Sequence, residues 1–165
     1  MRTAFLATVA FIAGCAAAPS AESPSPGVRD ASQLPRIFVD AYRDGDADKI
    51  ASLFAPEATF IPLLPMPRFQ GPDAVRAYYQ RAISSNVSRS ITPSNEAVQD
   101  YGDVIVRSAD IVVDQEFSDG RRVAIPARVS FVYKRESGVW RIVHHHQSVR
   151  PAAPSTAPAT APTAR

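Results

Sequence analysis

The chain has 165 residues, 18 Lys+Arg against 16 Asp+Glu, 45% hydrophobic residues and one cysteine. That length suits one ordinary domain, and a formal net charge of +2 lacks the basic excess of a dedicated nucleic-acid binder. A single cysteine excludes an internal disulfide and a cysteine-based zinc cage, and no apolar run reaches the roughly 18–20 residues that span a bilayer.

The amino-terminal segment reads as an export signal. Arg2 precedes an apolar stretch from Ala4 to Ala13, a short positive start followed by a short apolar core. The segment ends Ile12-Ala13-Gly14-Cys15, which resembles the lipobox of bacterial lipoproteins. The resemblance implies cleavage after residue 14, lipidation of Cys15 and, with Ala16 next, an outer-membrane destination on the periplasmic side of a bacterial cell envelope. An ordinary secretory signal cut near Ala16–Ala18 is the alternative. Residues 15–31 are rich in Ala, Ser and Pro and are expected to be a disordered tether with a reach on the order of 20–25 Å. Residues 151–165 carry no large apolar side chain and are expected to be a disordered Pro/Ala tail.

The folding unit runs from about residue 32 to 150. Leu34, Ile37, Phe38, Ala41 and Tyr42 recur at helical spacing. Pro35 suits that helix's first turn and Gly45 its end. Asp46 caps a short second helix with Ile50 and Leu53. Ala58 to Leu64 reads as a strand, and Pro62 puts it at an edge. Pro65-Met66-Pro67 forces a loop. Gly71-Pro72-Asp73 opens a third helix with Val75, Tyr78, Tyr79, Ala82 and Ile83 on one stripe. Extended chain follows: Ser88–Val98, Val104–Phe117, Arg122–Lys134 and Val139–Ser148, with turns at Asp119-Gly120 and Ser137-Gly138. Pro126 suggests a bulge or edge. Helices first and an antiparallel meander afterwards imply an α+β fold.

Four stretches carry a family resemblance: Tyr42-Arg-Asp-Gly-Asp-Ala-Asp-Lys-Ile-Ala-Ser-Leu-Phe-Ala-Pro-Glu-Ala-Thr-Phe, Gly71-Pro-Asp-Ala-Val, Ala127-Arg-Val-Ser-Phe-Val-Tyr-Lys-Arg, and Gly138-Val-Trp-Arg-Ile-Val-His-His-His-Gln-Ser. Together they resemble a SnoaL-like domain of the nuclear transport factor 2-like superfamily, closest to bacterial relatives of the calcium/calmodulin-dependent protein kinase II association domain. The resemblance implies a cone-like curved antiparallel sheet wrapped around amino-terminal helices. It also implies an internal cavity and a homodimer or larger homo-oligomer.

The run His144-His145-His146 is the most unusual feature. A regular two-residue turn at Ser137-Gly138 pairs Tyr133 with Ile142 and Phe131 with His144, so His144 and His146 share the apolar face and His145 and Gln147 the opposite one. His144, His146 and Tyr79 are therefore expected to line a ligand cavity, with Arg128 joining them if a bulge near Pro126 shifts the strand's phase. His145 and Gln147 are expected at a subunit interface or in solvent. The histidines could also be satisfied core or interface residues. A third reading is a zinc pair at His144 and His146, with Asp110, Asp114 or Glu116 as third ligand. In the resembling family an arginine at the place of Arg128 favours acidic ligands. Gln147, however, stands where the kinase domain has another arginine, and Val75 lies near the place of a histidine.

These features describe an exported, lipid-anchored, non-catalytic domain for small-ligand binding, oligomerisation or both. It needs no cofactor or metal and has no nucleic-acid partner. The alternative is a small cofactor-free isomerase, dehydratase or cyclase. Its acid or base would be His144, His146, Asp110 or Asp114, facing Tyr79 or Tyr133 as hydrogen-bond donor.

Overall fold

A computed structural model describes residues 28–150. The signal, Cys15, most of the tether and the tail lie outside the described residues. Helix α1 covers Leu34–Asp44, α2 Ala47–Ser52 and α3 Gly71–Ile83. Strands β1 (Phe54–Ile61), β2 (Phe69–Gln70), β3 (Asn86–Asp100), β4 (Val104–Phe117), β5 (Arg122–Glu136) and β6 (Val139–Val149) form one curved open sheet in the order β2-β1-β6-β5-β4-β3. The expected α+β architecture is observed.

The helix boundaries follow from local chemistry. Gly45 ends α1 at φ 76°, its N–H donating to the Tyr42 carbonyl while the Asp46 N–H donates to that of Ala41. This left-handed closure satisfies carbonyls the helix leaves open, and a side chain would strain it. Asp46 then starts α2 by accepting from the Lys49 N–H at 2.7 Å. At the other end of the chain, Ser137 and Gly138 both have positive φ, 51° and 78°, and join β5 to β6 in the tight turn expected there.

Two features of the sheet differ from the sequence reading. The first strand begins at Phe54 rather than Ala58 and stops at Ile61, before Pro62, which has no N–H to extend the ladder. It also joins β6 in parallel, through Thr59↔His144 and Phe60↔His145, a long-range pairing without a local signal. The bulge expected near Pro126 is absent; β4 and β5 stay in unbroken register through Val112↔Pro126. The irregularity lies across the sheet from it, at Val143, between the pairs Tyr133↔Ile142 and Val132↔His144.

The helices lie in the hollow of the sheet. Phe38 and Tyr42 from α1 and Val75 and Tyr79 from α3 are buried against Ile111 and Val113 of β4, Val129 and Phe131 of β5, Ile142 of β6 and Phe60 of β1. Each large apolar side chain removed from water contributes roughly 1.5–3 kcal/mol. This layer therefore fixes which strand positions face inward.

Candidate functional site

One extra residue decides the site. Up to Ile142, strand β6 alternates as the Ser137-Gly138 turn dictates. Val143 is then inserted opposite β5, so Val132 faces His144, Phe131 faces His145 and Val129 faces Gln147. A bulge resets the alternation of everything beyond it. His145 and Gln147 consequently point into the hollow, 0% and 9% exposed, while His144 and His146 occupy the outer face and are only partly buried. The expected placement of all four residues is thus reversed. Arg128, with no bulge at Pro126 to turn it inward, also lies outside, its side chain 63% exposed and 3.5 Å from Asp110. Tyr79 is where the helical stripe placed it, buried on α3.

His145 is enclosed by rings. Phe131 stacks on one side with centroids 4.0 Å apart, Phe60 on the other at 5.1 Å, and Phe38 approaches edge-on at 5.5 Å. Its Nδ1 lies 3.4 Å from the Ser130 carbonyl oxygen. Burial pushes the imidazole down to about 3, opposed in part by that carbonyl and reinforced by His144 and His146. A neutral ring beside a carbonyl carries its proton on Nδ1, which leaves Nε2 as a bare acceptor. That Nε2 is buried with no hydrogen-bond partner among the described residues.

The rest of the polar wall comes from four elements, α1, α3, β3 and β4. The Tyr79 hydroxyl is also buried without a well-aligned partner. Burial holds its pKa well above the ordinary tyrosine value, with Tyr78 and Tyr42 adding to the effect and Gln147 easing it. Tyr42 accepts a hydrogen bond from Gln115 Nε2 at 2.9 Å, and burial raises it too. Arg107 and Glu96 form an ion pair at the rim.

Two cavities result. An inner one of about 50 Å³ lies among Phe38, Ile111, Phe131, His145 and Gln147. An outer one of about 150 Å³ lies among Tyr42, Leu63, Tyr78, Tyr79 and Gln115. Ile91 and Gln147 border both. A cavity of roughly 150 Å³ holds a molecule the size of benzene, whereas sites for larger ligands begin at about 300 Å³.

Arg107, Gln115 and Glu96 were not singled out from the sequence. The first two were legible, since they share parity with Ala109, Ile111 and Val113 on β4. Glu96 was not, because β3 is irregular between Ser94 and Ala97. The zinc alternative meets the same register problem. His144 and His146 face outward, Asp110 is engaged by Asn95, Arg128 and Arg150, and among the described residues no three potential metal ligands converge.

Comparison with known families agrees with this architecture. The model of the SnoaL-like domain matches residues 32–153. The chain belongs to the SnoaL-like family. Solved structures similar to this SnoaL-like domain include a protein from Xanthomonas campestris assigned as a calcium/calmodulin-dependent protein kinase II association domain. It is 21% identical, with 74% of this chain and 86% of that one covered and a TM-score of 0.68. A protein from Streptomyces avermitilis assigned as a dehydratase of the NTF2-like family is 16% identical over 73% of this chain and 94% of that one, with a TM-score of 0.65. A type 2 hexachlorocyclohexane dehydrochlorinase is 14% identical over 74% and 86%, with a TM-score of 0.64. At these identities the likeness is one of fold. No curated protein matches the chain.

Proposed function

We propose that this SnoaL-like domain is an exported, lipid-anchored module that binds a small molecule in its hollow and self-associates, without turning substrate over. The observation that carries the binding role is His145: a neutral imidazole between two phenylalanines, with its acceptor nitrogen buried and unpartnered. Leaving a buried acceptor unsatisfied costs about 1–3 kcal/mol, which a ligand's hydrogen bond returns. The ligand class that fits is small, neutral and apolar with one donor, such as a phenol with its ring in the 150 Å³ cavity and its hydroxyl directed past Gln147, which borders both cavities, into the 50 Å³ cavity that His145 lines.

The same residue argues against general acid–base chemistry. Its Nδ1 is oriented by a neutral backbone carbonyl and not by a carboxylate, and the carbonyl's upward pull is outweighed by burial, so the imidazolium is disfavoured. Glu96, the carboxylate bordering the inner cavity, is committed to Arg107.

Calorimetric titration of the full chain tests the binding role. Phenol should bind about tenfold more tightly than toluene, the ratio expected for one hydrogen bond to a buried acceptor. Equal binding of the two, or of neither, refutes it.

Self-association is supported by fold likeness to an association-domain protein and by the outer sheet face. There His144, His146, Ser130 and Val132 are partly buried in a single chain. Light scattering at micromolar concentration should give a dimer or larger. Lipid anchoring rests on the Ile12-Ala13-Gly14-Cys15 match. Cys15→Ser should release the protein from membranes on fractionation, because a single residue carries the acyl chains.

A further inference from the structure

A third cavity lies at the other end of the sheet, where the chain enters the fold. The Val28 carbonyl accepts from the Trp140 N–H at 2.8 Å, and this bridge holds the entering segment against β6. Arg29 to Ser32 then line a cavity of about 490 Å³ together with Val98, Ile105 and Arg107. Tyr133 and Trp140 complete the lining, 2% and 7% exposed. The volume lies within the range of ordinary ligand sites, unlike the two small cavities of the hollow.

Its polar groups point to one ligand charge. The Tyr133 hydroxyl is buried with no hydrogen-bond partner among the described residues, and because burial raises its pKa it stays a neutral O–H donor. Arg107 gives Glu96 a single N–H in the ion pair, which leaves further donors on the guanidinium. Arg29 makes no ion pair among the described residues. All three groups offer protons to an acceptor. The rim carboxylates are already engaged: Asp30 accepts from the Ser32 N–H and Asp100 from the Gly102 N–H, 2.9 and 2.8 Å. As carboxylates they stand against a second ligand charge.

We infer that this cavity is a second binding site, sharing only Arg107 with the His145 cavity, for a small monoanion, a carboxylate on an apolar or aromatic body, with the head group on Tyr133, Arg29 and Arg107 and the body against Trp140 and Ile105. The segment from Val28 to Ser32 is part of the site, so the ligand also clasps the root of the amino-terminal extension to the domain.

Trp140 is the chain's one tryptophan and lines this cavity and neither of the other two. Its emission therefore reports on this site alone. Benzoate titrated into the full chain should change that emission saturably. Benzyl alcohol, which lacks the charge, and phthalate, which carries two, should each bind about tenfold more weakly, as expected for a charge-assisted hydrogen bond gained or opposed. Arg29→Gln should weaken benzoate by a similar factor, and Tyr133→Phe by about fivefold. Arg29 is exposed, so its variant decides the matter even if Tyr133→Phe fails to fold. Absence of a saturable change, equal binding of benzyl alcohol, or unchanged benzoate affinity in Arg29→Gln overturns the inference. Gln147→Leu separates this site from the His145 cavity: it should impair phenol binding and leave the benzoate titration intact.

Discussion

Three consecutive histidines on β6 sit in two different media. His145 is walled by phenylalanines on the concave face and pushed down to about 3. His144, the adjacent residue, lies on the outer face, and partial burial lowers it with a smaller contribution from His146. The rings are chemically identical and neighbours in the chain, so side-chain type explains nothing of the difference. Strand pleating directs alternate residues to opposite faces, and one face is covered by helices while the other is not. A bulge of one residue, Val143, decided which histidine received which environment.

The largest test of this contrast is truncation. His145→Ala opens a cavity between Phe60 and Phe131 and should cost about 3–5 kcal/mol in denaturant unfolding, the range for removing a buried ring. His144→Ala should cost less than about 1 kcal/mol. Comparable losses would mean that the two faces are not differently packed. His145→Phe sharpens the point: it keeps the ring, removes the unsatisfied Nε2, and should hold stability near the parent while impairing phenol binding.

Acid unfolding comes next. The folded-state value of His145 lies below the ordinary 6.5, so the unfolded chain binds the proton more readily. Between about pH 6.5 and 3 stability should therefore fall as pH falls, by up to about 1.4 kcal/mol per pH unit from this group. Above that window the stability is fully present. His145→Phe should flatten the slope there, while His144→Ala should change it little. A slope that is the same in parent and His145→Phe would assign the acid sensitivity to the carboxylates instead.

The smallest effect belongs to Arg128. Its exposed pairing with Asp110 should contribute less than about 0.5 kcal/mol. Arg128→Ala should also leave the phenol titration unchanged, because the side chain does not face the hollow. A measurable loss of phenol affinity would place it in the site after all.

Much of the fold is legible in the sequence. The stripe of Phe38, Ala41 and Tyr42, the Gly45 stop, the Asp46 cap, the Tyr79 face of α3 and the Ser137-Gly138 turn are written in spacing and turn chemistry. These interactions reach no more than a few residues along the chain. The site was less legible. Alternation counted from Ser137-Gly138 located Ile142 correctly and then failed at His144, because nothing local announces that Val143 will be extruded.

The sequence by itself determined the α+β order, the helix ends, the hairpin turns and the presence of an imidazole cluster next to the last turn, since each rests on short-range sterics and hydrogen bonding. Only the tertiary structure decided that β1 would run parallel to β6, that β6 would bulge at Val143, and that His145 rather than its neighbours would be buried. Those outcomes depend on how a curved sheet closes over helices distant in the chain, and an alternating strand carries its whole set of side chains to the other face when its phase slips by one.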